Sequence, residues 1–200
     1  MKNVNLNFKS KKWFGEAISL ILQPLIITIP VFIIASYFTV SGSSFYILTF
    51  LCLIFATFLP FITTVMWIKK NNLDLDISDK NHRKIPLLLG TTFYLIGTAV
   101  LFVLGAPTVI TVLMFCYFSN TLLSLIITIF WKISIHSMGI AGPTAAMTYI
   151  LGYPGLLFGI PLIMVMWSRI YLKKHTKAQV VIGAVTSFIF TWLQFKILVP

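Results

Sequence analysis

The sequence predicts an all-α, polytopic membrane bundle, and three observations carry the prediction. The mean hydropathy is +0.98. Of the 200 residues 58% are apolar and 10% are charged, where a soluble domain carries about a quarter charged residues. The apolar residues also fall into runs of about twenty, the length at which a helix crosses a bilayer, and short polar loops separate the runs. The chain therefore reads as one transmembrane helical domain over residues 17–200, with six to seven transmembrane helices. A basic interfacial segment, residues 1–16, precedes it.

In chain order, Lys2, Lys9, Lys11 and Lys12 with Trp13 and Phe14 make the interfacial segment, positive charge and aromatic rings being at home at the headgroups. A first span runs from Ala17 to Phe38, with Pro24 and Pro30 inside it, and a second from Phe45 to Ile68. The longest polar stretch, Lys69 to Pro86, follows. Spans over Leu87–Leu104 and Val109–Phe130 meet at Gly105-Ala106-Pro107. Gly152-Tyr153-Pro154-Gly155 then breaks the apolar stretch Ala141–Trp167 into a hairpin of two short spans. A polar loop, Ser168 to Lys177, leads to a last span, Ala178–Leu198. Cys52 and Cys116 lie inside apolar segments and read as core thiols.

Charge supports the hairpin. Fifteen Lys and Arg against four acids give a net charge of +11. Loops this short offer no nucleic-acid surface. With seven spans, fourteen of the fifteen basic residues lie on one face, Lys196 being the exception. The positive-inside rule assigns that face to the cytoplasm of a multi-pass cell-membrane protein.

Three loops on the basic face hold nearly every ionisable residue, and charge beside a bilayer core marks a candidate site. Their spacing adds detail. Ser168-Arg169 is followed after five residues by His175 and after three more by Gln179. Ser134-Ile135-His136 lies in the middle loop, and Arg83 stands just ahead of Pro86.

In order and spacing these residues resemble the three-part signature of the type 2 phosphatidic acid phosphatase superfamily. That pattern has a Lys separated by six residues from Arg-Pro, then Pro-Ser-Gly-His, then Ser-Arg with His after five residues and Asp after three more. The resemblance covers residues 76–183. It implies that His175 is a nucleophile forming a phosphohistidine and that His136 is the acid for the leaving group. Arg169 and Arg83 would bind phosphate, with Ser134 and backbone N–H groups completing the cradle. No metal or other cofactor is implied. The departures are Asp76 at the Lys position, for which Lys80 or Lys132 would substitute, and Gln179 at the Asp position. An amide can orient an imidazole but cannot compensate its cation, so turnover is expected to be slower unless Asp74, Asp76 or Asp79 reaches His175.

The expected partner is a lipid phosphate in the bilayer: an isoprenyl phosphate or diphosphate first, phosphatidic acid second. The Asp74-Asp76-Asp79 loop is also similar to the aspartate-rich loop of UbiA-type intramembrane prenyltransferases. Those carry a second acidic loop, and no Asp or Glu follows Asp79 here. A non-catalytic lipid-phosphate binder or a transporter is the remaining alternative.

Overall fold

The computed structural model describes residues 2–77 and 79–200, with side chains from Lys11 onward, Ser78 excepted. Every regular element among them is helical. Helix α1 spans Lys2–Ile21 and α2 spans Pro24–Tyr37, and residues 11–21 meet α2 at 50°. Proline causes the bend. It has no N–H for the helix ladder and pushes the preceding residue out of the helical region, and Gln23 is accordingly extended, at φ −66° and ψ 137°. The single span expected over Ala17–Phe38 is therefore two helices. Helix α1 runs without a break through residue 16 to Ile21. The interfacial placement expected for Lys2 and Lys9 lies outside the described side chains. Trp13 and Phe14 are exposed, while Gly15, Ile18 and Ser19 are buried.

Helices α3 (Ser43–Leu53) and α4 (Leu59–Lys70) join through a π-helical turn at Ile54–Phe58 into one 28-residue apolar rod. Pro60 follows that turn, and the wider π geometry accommodates its missing N–H. A single 3-10 turn at Lys80–Arg83 leads into α5 (Lys84–Val103), and α6 (Thr108–Phe130) returns beside it. After α7 (Ile135–Leu151) come a second 3-10 turn at Tyr153–Phe158, α8 (Gly159–Tyr171) and α9 (Lys177–Leu198).

Among the described residues, five segments are long and apolar enough to cross a membrane: Ser43–Lys70, Lys80–Val103, Thr108–Phe130, Tyr153–Tyr171 and Lys177–Leu198. The bent pair formed by residues 11–21 and α2 makes a sixth if it is counted as one broken span. The protein is thus an all-α helical membrane bundle. The remaining helix, α7, has 17 residues, about 26 Å at the α-helical rise, and lies enclosed by α2, α6, α8 and α9. Every residue from Ile140 to Met147 is buried. Small side chains there let neighbouring backbones approach closely, the usual solution where lipid removes the hydrophobic drive between helices. At Gly139 a Cβ would fall 2.5 Å from Cβ of Pro24, so α2 and α7 touch through glycine.

Gly42, Gly105 and Gly152 carry φ values of +66°, +65° and +70°, which glycine adopts without penalty. The break at Gly152 turns α7 back onto α8, as the hairpin reading expected. The charged loops meet at the opposite end. Lys174 Nζ lies 2.9 Å from Asp76 Oδ2, Lys80 Nζ donates to the carbonyl oxygen of Ile129 at 3.2 Å, and Ser134 N donates to that of Gln179 at 3.3 Å.

This alternation is open to a labelling test in sealed vesicles with a membrane-impermeant maleimide. Cys52 and Cys116 are buried and will not react. Single cysteines at Asn72 and Lys173 are expected to label from one side, and those at Ser41 and Tyr153 from the other. Labelling of positions 72 and 153 from the same side would contradict the topology.

Candidate functional site

The charged end is built by the 71–79 loop, the starts of α5, α7 and α9, the end of α8 and the inner face of α1. Sequence reading put Ser168 and Arg169 in a loop, but α8 runs on to Tyr171 and both are fully buried on its last turn. Ser168 Oγ donates to the Gly15 carbonyl at 2.7 Å, tying α8 to α1. Arg169 Nη1 meets Ser19 Oγ at 2.6 Å and Asp76 Oδ1 at 2.6 Å. Its Nε is buried without a partner among the described residues.

Asp76 is the hinge of the arrangement. Its other oxygen meets Lys174. Burial alone would raise its pKa, but Arg169 and Lys174 outweigh that and hold it down at about 2. Arg83 grips the same segment from the other side, Nε donating to the Ile77 carbonyl at 2.6 Å and Nη2 to the Asp76 carbonyl at 3.2 Å. Those bonds hold Ile77 at φ +44°, a left-handed conformation that a β-branched residue adopts only under constraint.

His175 sits between α8 and α9, buried, its Nδ1 3.1 Å from Gln179 Oε1. The same oxygen accepts the Thr176 N–H at 3.1 Å, and Thr176 Oγ1 accepts the Gln179 N–H at 3.3 Å. Thr176 and Gln179 thus form a capping box at the start of α9. The box has a chemical consequence. A backbone N–H can only meet the amide oxygen, so Nδ1 of His175 must be the donor toward it. That leaves Nε2 with its lone pair free. Burial first, then Arg83 and Arg169, lower the His175 pKa to about 4, which keeps the ring neutral at physiological pH.

His136 stands in the first turn of α7, where the helix dipole is positive. Lys132 is half-buried in the segment before α7. Burial, and then repulsion by Arg83, Arg169 and Lys174, lower its pKa, so it belongs to the same cationic group. Three of the residues singled out from sequence are engaged elsewhere. Lys80 caps the carbonyl end of α6. Ser134 caps α7, its Oγ 3.4 Å from Ser137 N and 2.9 Å from Ser137 Oγ, and it is fully buried. Asp79 caps the turn at Asn81. Lys174, Ser19 and the pairing of Asp76 with Arg169 were not foreseen. Lys174 offered a signal, lying directly before His175.

A cavity of about 170 Å³ opens at this cluster and runs into the bundle between α2, α5, α6, α7 and α9. Asp76, Arg83, His136 and His175 line its polar end, and Leu87, Tyr94 and Leu113 are among the residues farther in. Neither known protein families, nor curated proteins, nor solved structures give a match to this chain.

Replacing Asp76 by Asn removes the counter-charge of a buried guanidinium. The expected cost is about 2–3 kcal/mol, below that of a wholly buried pair because Asp76 is 23% exposed, read as a lower melting temperature in detergent. The Asp76 pKa is depressed from 3.8 to about 2. The stability it adds is therefore full above pH 3.8 and disappears as pH falls toward 2. Equal melting of wild type and D76N near pH 7 would contradict the pairing.

Proposed function

We propose that this protein is a metal-independent membrane phosphatase acting on a lipid phosphate, with the reaction centred on His175. The observation that carries this reading is the cavity, which joins two histidines and an arginine at the membrane surface to an apolar interior. A lipid can leave its tail in that interior while its phosphate meets the charged end.

In the proposed reaction the Nε2 lone pair of His175 attacks phosphorus and forms a P–N bond. The P–O bond to the lipid breaks, and His136 gives a proton to the departing alkoxide. Water, deprotonated by His136, then displaces the imidazole and releases inorganic phosphate. His136 needs a proton for the first step, and an arriving phosphate anion stabilises its charged form. Gln179 holds His175 in the attacking tautomer without supplying negative charge. Arg83, Lys132 and the first N–H groups of α7 form the cradle for phosphate oxygens. Arg169 stands behind Asp76 and takes part through it.

One observation favours a second reading, a lipid-phosphate binder without turnover: Asp76 already satisfies Arg169 and Lys174. Phosphate release separates the two. Purified protein is given geranylgeranyl diphosphate or phosphatidic acid with EDTA present. Release is expected to survive the chelator and to fall by about 10³-fold or more in His175→Ala. Because neutral His175 is the attacking form, its contribution to kcat/KM should rise with pH through about 4, well below the ordinary histidine value. An acid limb near pH 6.5, or equal release from the variant, would sink the assignment.

A further inference from the structure

The interior wall of the cavity carries polar atoms that the protein does not satisfy. Tyr117 Oη, Asn120 Oδ1 and Ser124 Oγ are buried without a hydrogen-bond partner among the described residues, and all three residues line the cavity. They lie on α6 at spacings of three and four residues, which puts them on one face of the helix. Tyr117 is 9% exposed and Ser124 3%. An unpaired polar atom buried at membrane depth is costly, so this row calls for an occupant that can hydrogen-bond.

The depth of the row can be read from the helices. A Cβ at Gly142 would lie 3.8 Å from Asn120 Nδ2, so Asn120 is level with Gly142. His136 is six residues earlier on α7, about 9 Å nearer the charged end. Ser124 lies about 6 Å above Asn120 along α6, and Tyr117 about 4.5 Å below it. Ser124 and Asn120 thus sit roughly 3 and 9 Å below His136. In a lipid phosphate bound at the histidines, that interval holds the first few atoms beyond the phosphate ester.

The chemistry of each group narrows the ligand. Asn120 Nδ2 donates to the Cys116 carbonyl and to Thr191 Oγ1, both at 2.9 Å. This fixes Oδ1 as the atom left over, and it only accepts. Ser124 Oγ can donate or accept. An isoprenyl chain offers neither group anything. A diacylglycerol ester offers acceptors to Ser124 and no donor to Asn120.

We infer that Ser124 and Asn120 form a linker-reading subsite on α6 which selects lipid phosphates bearing a hydroxyl or amide N–H within the first few carbons after the phosphate. The inference rests on the lipid-phosphate reading above and deepens it. It places such lipids ahead of both substrates considered from sequence.

The test compares 1-acylglycerol 3-phosphate, its 2-deoxy analogue and geranylgeranyl phosphate in detergent micelles. Both phosphate release and displacement of a bound fluorescent 1-acylglycerol 3-phosphate are read. The hydroxyl-bearing lipid is expected to be preferred over its deoxy analogue by about tenfold or more. Ser124→Ala should narrow that preference about fivefold, and Asn120→Leu should abolish it. Ser124 Oγ has no partner to lose, so S124A folds even if N120L does not. A preference seen in displacement without phosphate release supports the subsite and removes the hydrolase reading. Release without preference, or a preference unchanged in S124A because water fills the row, overturns the subsite.

Discussion

The Arg169–Asp76 pair is the constraint on which the charged end depends. A guanidinium that is 1% exposed at the edge of a bilayer cannot stand without a counter-charge. Its partner comes from a loop 93 residues away in sequence. The pair therefore fixes α8 against the 71–79 loop, while Ser19 and Gly15 bind the same two residues of α8 to α1. Arg83 closes the assembly by holding the loop from below. Everything proposed for His175 presupposes this frame, because Leu75, Asp76 and Ile77 of the loop line the cavity beside His175.

The pair also changes the role of the arginine. The resemblance drawn from the sequence implies that Arg169 is a direct phosphate ligand. In the fold its Nη1 is already committed to Asp76 and Ser19, and of the two arginines only Arg83 lines the cavity. Asp76 supplies the acid that binds Arg169. A chain with Lys at that position would leave Arg169 free and add a cation, an electrostatic arrangement opposite to the one here.

Much of the fold was legible because its signals are local. Runs of apolar residues marked the long helices, uncharged glycine turns marked one end, and Gly152-Tyr153-Pro154-Gly155 marked the hairpin. The Gln179 spacing was legible too, since Thr176 and Gln179 form a capping box, a short-range device. The break at Pro24 was misread as a tolerable kink, although a proline with an extended residue before it ends a helix. Long-range pairings were not legible. Nothing in the sequence says that Asp76 pairs with Arg169, that Lys80 caps α6, or that Ser134 caps α7 instead of facing a ligand. The polar row Tyr117, Asn120 and Ser124 was visible at helical spacing within an apolar run. Its meaning came only when the cavity beside it was seen.

In the proposed reaction His175 becomes covalently phosphorylated. Incubating the protein with a ³²P-labelled lipid phosphate, quenching in alkali and mapping the label tests it directly. An acid-labile, base-stable phosphoramidate on His175 is expected in the wild type; it forms more slowly when His136 is replaced by Ala and is absent from His175→Ala. Label on another residue, or phosphate release with no labelled protein in either background, would contradict it.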